Sequence, residues 1–385
     1  MKGKRRILKL SLIPMLISLT ISCLIYIPFE ERWPESRETY PSPERRQSFN
    51  QIDTTFIYNY LATFGYWVYL SPYGHVWIPR YVPYNWRPYT HGRWVWTEAG
   101  WLWVSNFEWG WLVFHYGRWG WHNRLGWFWV PGTIWAPAWV IWAWSDLYVG
   151  WAPIPPEIDW IPEVGLAVIR IEPPWHGWIF VEGRYFLTSY LDRYVLPPER
   201  NRTILNFTVN KRSLVPRGTT IFNEGVEPSL VSKWTKTEVR KYELREASRP
   251  VRESIQVNTV IIPRPSISKS EVARPNQIHE PEKVQQELEK ERPRLFRFEQ
   301  FEMERERLER SQKEEENYLK RKMEEEKSQV RDEVAKQEIE RRYKTQLEQL
   351  KKHHQEERKE LEERQEEQKK RLSGDPGQKK KAKNN

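Results

Sequence analysis

Trp94-Val-Trp-Thr-Glu-Ala-Gly-Trp-Leu-Trp103 is the stretch whose reading decides the fold. Aromatic and other residues alternate on both sides of a short connection that contains Gly100. This is the pattern of a β-hairpin with a glycine-bearing loop. In an antiparallel hairpin, directly opposed residues share a constant index sum. Here Trp94 opposes Trp103 and Trp96 opposes Trp101, both with sum 197. The other face pairs Val95 with Leu102. Both faces are therefore apolar, and the sequence leaves open whether the second is covered or displayed as an aromatic platform.

The same phrase recurs on either side, in Trp67-Val-Tyr-Leu-Ser-Pro-Tyr-Gly-His-Val-Trp77 and Trp119-Gly-Trp-His-Asn-Arg-Leu-Gly-Trp-Phe-Trp129. Gly74, Gly100 and Gly126 are evenly spaced, at an interval in the range of stacked supersecondary units. The index sums pair Trp67 with Trp77 and Tyr69 with His75. They pair Trp119 with Trp129 and Trp121 with Trp127, and a fainter fourth unit sets Trp142 against Trp151. Each cross-strand aromatic pair contributes roughly 0.2–1 kcal/mol, so every hairpin carries its own zipper.

Of the 23 tryptophans, 18 lie in Trp67–Trp151, where Glu98, Glu108 and Asp146 are the only acids and five arginines the only strong bases. The charge sits at the two ends of the 385-residue chain, which is long enough for two domains. A net charge of +10 is the kind of excess that nucleic-acid binding uses. The basic residues after Pro281 are matched by nearly as many acids, which argues against it.

Lys2, Lys4, Arg5, Arg6 and Lys9 form a basic start, and Leu10–Ser22 an apolar run of secretory-signal length, ending on Cys23, the one cysteine. Leu19-Thr-Ile-Ser-Cys23 resembles the lipobox of bacterial lipoproteins, in which the cysteine is lipidated. Thr20 departs from the leucine usual there. Because the apolar stretch continues through Phe29, an uncleaved membrane anchor is the alternative, and simple secretion a third. All three give a cell-envelope, extracytoplasmic location. A lone cysteine forms no intramolecular disulfide, so packing must supply the stability.

The ordered phrases Trp86-Arg-Pro-Tyr89, Gly92-Arg-Trp94, Gly117-Arg-Trp119, Pro131-Gly-Thr-Ile-Trp-Ala-Pro-Ala-Trp-Val140 and Val149-Gly-Trp-Ala-Pro153 lie within residues 65–156. In these the chain resembles a family of Trp-rich domains of unknown function in secreted bacterial proteins. The likeness extends more weakly through Trp178–Phe186 and Ile221–Val226 towards Pro250. It implies an extracytoplasmic setting and no particular activity.

The expected fold is mostly β, with Trp-rich antiparallel hairpins and a smaller β-layer, followed by a long charged C-terminal helix or coiled coil. The boundaries are a signal peptide over 1–23, a disordered tether over 24–51, the hairpin domain over 52–157 and the β-layer over 158–265. A linker covers 266–292, the helix 293–373 and a basic tail 374–385. In the β-layer the strand-like runs are Leu166–Ile171, Trp178–Val181, Thr203–Val209 and Val257–Ile262. Apolar residues of the charged segment step by 11 at Leu308, Leu319 and Val330, and again at Ile339, Leu350, Leu361 and Leu372. Such a thin seam allows a straight or right-handed supercoil, or a solitary helix held by i,i+4 ion pairs. As a rod from Phe301 to Leu372 it would reach about 110 Å.

For chemistry the sequence offers little. His75, His91, His115 and His122 lack ligand spacing, Glu98 lies in a hairpin loop, and no nucleophile elbow or phosphate loop is present. The expectation is no catalysis, no metal and no cofactor. The partners expected are a membrane, through Cys23 or an anchor, and a homo-oligomer or protein held by the helix. The function expected is that of a non-enzymatic bacterial cell-envelope lipoprotein acting as scaffold or spacer, and the alternative is a glycan- or peptidoglycan-binding module using an exposed aromatic face of Trp101, Trp103, Trp127 and Trp129.

Overall fold

Gly74, Gly100 and Gly126 occupy the left-handed region, with φ of +78°, +85° and +83°, in the computed structural model. At this position glycine lets a short connection reverse the chain without a Cβ clash. The structure describes residues 49–83, 86–162, 164–166, 173–211, 214–218, 220–295 and 299–372. The expected signal peptide, Cys23, nearly all of the tether, the basic tail and most of Leu166–Ile171 lie outside the described residues.

The four hairpins form with the registers that the index sums give. Gly65–Leu70 pairs with Gly74–Pro79, placing Trp67 opposite Trp77 and Tyr69 opposite His75. Gly92–Thr97 pairs with Gly100–Ser105, Arg118–His122 with Gly126–Val130, and Val140–Trp144 with Tyr148–Pro153. Helix α1 (Thr54–Ala62) precedes the first hairpin, with Asp53 capping it by accepting from the Phe56 amide. The short α2 (Gly110–Val113) precedes the third.

These two units are built alike. Indole N–H groups of Trp67 and Trp77 donate to the carbonyls of Tyr58 and Leu61 at the end of α1. Those of Trp119 and Trp129 donate to Val113 and Tyr116, at and just past the end of α2. In each unit the hairpin's own tryptophans thus tie it to carbonyls of the helical segment before it, at Leu61 alongside the Phe64 amide. Gly65 and Gly117 lie beneath the indoles of Trp77 and Trp129. A Cβ on Gly117 would sit 2.2 Å from the Val130 carbonyl and 2.7 Å from the Trp129 ring.

The first and third hairpins join through the Trp77–Trp129 pair into one four-stranded sheet. The second lies inside a seven-stranded sheet and the fourth inside a four-stranded one. Their edges are occupied by strands from the segment expected as a separate layer. Ile179–Glu182 and Val209–Lys211 flank the fourth hairpin, while Thr220–Asn223 and Lys241–Ala247 flank the second. An open edge presents unpaired amides and carbonyls, and these strands satisfy them. The segment therefore extends the hairpin sheets rather than docking on them. Thr203–Leu205, expected as strand, belongs instead to α3 (Asn201–Leu205). The preceding Pro197-Pro198 starts a helical turn, and Asn201 is held by the carbonyls of Trp175 and Trp178, so tertiary contacts override β-branched propensity. Helix α4 (Pro228–Thr235) follows.

One face of every hairpin feeds a shared aromatic core. In it Trp94 meets Trp103, Trp142 and Trp151 at ring separations of 5.1, 4.6 and 5.5 Å. The opposite face of the first sheet, with Tyr66, Val68, Val76, Ile78 and Phe128, is covered by Val284 and Leu288 of α5 (Pro281–Leu295). The expected linker over 266–292 is thus structured. Ser266–Ser268 adds in parallel to Gln51–Asp53, and the His279 amide donates to the Trp67 carbonyl.

The long C-terminal helical region consists of α6 (Glu299–Ser328) and α7 (Glu333–Leu372). They pack antiparallel, as the index sums of bonded partners show: Arg305–Gln365, Gln312–His354 and Lys327–Glu340 all fall near 668. The expected single rod is corrected to a helical hairpin. The chain turns at Gln329–Asp332, where Asp332 accepts from the Ala335 amide and starts α7. The eleven-residue step is corrected as well. Buried positions on α7 are Tyr343, Leu350, His354, Glu357, Leu361 and Gln365, and on α6 Phe301, Glu304, Leu308, Ser311, Gln312 and Glu315. Apart from the seven-residue step from Tyr343 to Leu350 and the adjacent pair Ser311 and Gln312, these recur at three- and four-residue steps. The period was hidden because more than half of the seam is polar.

Candidate functional site

Of the four indoles expected to form a sugar-stacking face, three are closed off. Trp101, Trp103 and Trp129 expose none of their surface. The Trp101 indole donates to the Val226 carbonyl at 2.7 Å and is crossed by Phe186 at 4.9 Å, because Thr220–Asn223 and the loop after it lie over this end of the hairpin. Trp103 is sealed by Trp94 and Tyr89, and Trp129 by its bond to Tyr116. Trp127 alone stays half-buried, meeting Trp121 edge-on at 5.4 Å. A platform made of all four is overturned: edge strands and neighbouring indoles take the surface it would need.

The densest polar chemistry lies where α6 and α7 dock on the sheet body, around Arg200. This guanidinium is fully buried. Its Nε donates to Ser311 Oγ at 3.0 Å, and Nη1 reaches both carboxylate oxygens of Glu357 at 3.0 and 2.9 Å. Nη2 donates to the Tyr148 hydroxyl at 3.1 Å and to Glu315 Oε2 at 2.7 Å. All five donors are used. Glu315 also takes a contact from His354 Nε2 at 2.9 Å, and Glu357 accepts from Gln312 and Thr203. Tyr148 donates onward to the Ser311 carbonyl, so strand, turn and both helices meet at one point.

Electrostatics follow from that geometry. Burial alone opposes ionisation of Glu315, but the Arg200 guanidinium and the His354 bond outweigh it and hold the carboxyl below its usual value. Burial likewise opposes the charge on Arg200, and Glu315, Tyr148 and Glu357 reverse the sign. The Tyr148 phenol is pushed up, first by burial. A second node flanks this one, where Arg364 bridges Glu199 and Glu304 at 2.6 and 3.1 Å. Further out, Arg310 pairs with Glu182 at 3.1 Å and Tyr318 donates to Asp146.

His115 and Glu253 form a separate buried pair, both side chains closed to solvent, with Nε2 to Oε1 at 2.6 Å. Nδ1 faces the Ala136 carbonyl at 2.9 Å and must donate to it, since a carbonyl only accepts. The second carboxylate oxygen accepts the Ser105 amide at 2.6 Å. With both ring nitrogens engaged, the imidazole has no lone pair to offer a substrate. The pair ties α2's loop to the segment after Lys241–Ala247.

The other histidines are dispersed. His122 Nδ1 accepts from the amides of Arg124 and Leu125 in its own turn, His91 stacks on Phe107, and His75 lies against Tyr58 and Tyr69. Among the described residues no group of three or more His, Cys, Asp or Glu is placed to hold a metal ion. Glu98 accepts from the Leu244 amide and so joins neighbouring strands. Among the described residues no helix is long and apolar enough to cross a membrane.

Sequence reasoning missed Arg200, Glu315 and Glu357. The available signal was polar residues at the three- and four-residue positions of α7, His354 and Glu357 among them, in a seam that otherwise holds leucine. Compared with known proteins, residues 58–158 match a family of unknown function (DUF6600). The match covers the four hairpins and stops short of Trp178–Val226, where a weaker likeness was expected. No curated protein and no solved structure matches the chain.

Proposed function

We propose that the protein is a non-enzymatic scaffold of the bacterial cell envelope, attached to a membrane through lipidated Cys23, with the α6–α7 pair as its interaction arm. The observation that carries this reading is the use made of its buried ionic groups. Arg200, Arg364 and the His115–Glu253 pair each join chain segments far apart in sequence, and their polar atoms face protein partners. Catalysis needs polar groups aimed at a space that a substrate can enter.

In this reading α6 and α7 form an antiparallel coiled coil whose inner half is clamped to the body. Beyond Tyr318 and Leu350, the bonds of Glu326 with Arg342 and Tyr343, and of Lys327 with Glu340, join the helices to each other. That tip spans about 16 Å at 1.5 Å per residue and presents both signs of charge to a protein partner or a second copy. The hairpin family and the lipobox-like Leu19–Cys23 supply the setting.

The test is fractionation of cells that express the full chain, with Cys23→Ala alongside. Recovery in the membrane fraction, with loss of lipid labelling in the variant, is expected. A wild-type chain found in the cytoplasmic fraction would sink the proposal.

A further inference from the structure

Among the described tryptophans Trp121 alone is exposed, at 46%. A buried indole removes a large apolar area from water, and the rest of this chain shows that the fold can bury one. Trp121 is held rather than loose. It lies one residue from the end of the strand Arg118–His122, and the last residue, His122, stiffens the turn by accepting the amides of Arg124 and Leu125. Trp127 meets the ring edge-on at 5.4 Å, and the His176 ring lies at 6.1 Å on another side. Burial, and then Arg87, lower the His176 pKa, so that ring is a neutral donor and acceptor at physiological pH.

The indole lines an open groove of about 500 Å³ between this turn and the start of α5. Asn123, Arg124, Glu282 and Gln285 border it, and Leu70 completes the apolar side. Both walls are fixed, since Leu125 is buried and Val284 and Leu288 of α5 are part of the core. The volume falls in the range of small-molecule sites, which pair apolar surface with a few placed polar groups.

We infer that this groove binds a pyranose ring of a glycan chain, stacked on Trp121, with Asn123, Arg124, Glu282 and Gln285 serving its hydroxyls. The chemistry selects this class. A sugar presents a face of C–H bonds to an aromatic ring and hydroxyls, both donor and acceptor, around its rim. Two amides, a guanidinium and a carboxylate supply both partners, and a flat indole supplies the face. The inference stands apart from the scaffold reading, because it needs neither the anchor nor the helical arm.

The test is isothermal titration calorimetry of the detergent-solubilised full chain with a β-1,4-linked N-acetylglucosamine hexamer, and in parallel with a plain glucose hexamer. Saturable binding to either is expected, weakened at least tenfold by Trp121→Ala and also by Gln285→Ala, with the thermal midpoint unchanged in Gln285→Ala and lowered only slightly in Trp121→Ala, which loses its cross-strand partner Trp127. Binding of the N-acetylated hexamer alone would assign the site to wall-type glycans, and binding of both to polysaccharides generally. Absence of binding to both hexamers, or full affinity retained in Trp121→Ala and Gln285→Ala, would overturn it.

Discussion

Replacing Arg200 by Met keeps the aliphatic stem and deletes the guanidinium at the centre of the helical docking site. The residue makes five bonds, to Ser311, Tyr148, Glu315 and both oxygens of Glu357, and is fully buried. Without it the Glu315 and Glu357 side chains, 8% and 5% exposed, stay buried with no cation of comparable reach. Removing one partner of a buried ion pair costs about 3–5 kcal/mol. If α6 and α7 detach while the sheets persist, that cost moves the docking equilibrium by roughly two to three and a half powers of ten. Hydrogen exchange followed by mass spectrometry reads this directly. Amides of Glu299–Leu372 should lose protection by that factor while those of Gly92–Ser105 keep theirs. A triple variant, Arg200→Met with Glu315→Leu and Glu357→Leu, should recover only part of the loss, since replacing buried ions by apolar groups is often neutral but Gln312, Thr203 and His354 then lose their carboxylate partners. Unchanged protection in the single variant would refute the clamp.

Further outcomes are expected on the same grounds. Gly117→Ala should cost well over 1 kcal/mol in urea unfolding, because its Cβ meets the Val130 carbonyl and the Trp129 ring at φ +69°. Gly74→Ala has open space and should cost only about 1–2 kcal/mol, for its left-handed backbone. Glu253→Ala should lower the thermal midpoint measurably, through a cost of about 3–5 kcal/mol, whereas Glu253→Gln, which still accepts the Ser105 amide, should cost less. Acid should release the arm. Glu315 has a depressed folded pKa, so its contribution is present above the unfolded value of about 4.3 and fades as pH falls through the folded one. Small-angle scattering should show no expansion between pH 5 and 8, and expansion only at acid pH below the free carboxyl value of about 4.3.

The hairpins were legible because their information is local. Alternation and one glycine fix the register of Trp94 on Trp103 within a single turn of chain, and Gly92 and Gly117 mark where an indole lies over the backbone. What covers the second face was not legible, since Val284 and Leu288 come from a highly charged segment far along the chain from Tyr66. The docking site was hidden for a related reason. Arg200 bonds to residues 52 to 157 positions away, and its two carboxylates are unremarkable among the many glutamates of that segment. Reading only leucine, isoleucine and valine gave an eleven-residue step. Counting His354 and Glu357 between Leu350 and Leu361 restores the shorter period. The sugar-stacking indoles were misplaced because alternation tells which residues share a face and not which end of it the flanking strands cover.

Whether the charged C-terminal region folds back on itself or extends is decided by a single distance. Spin labels at Lys313 and Gln355, both exposed, in a chain carrying Cys23→Ser, give it by double electron–electron resonance. As one of the antiparallel pairs near index sum 668, the labels should be separated by about 10–25 Å, an interaxial spacing of 8–10 Å plus the linkers. A distribution centred at roughly 60 Å, the length of a continuous helix between the two positions at a rise of about 1.5 Å per residue, would contradict the account.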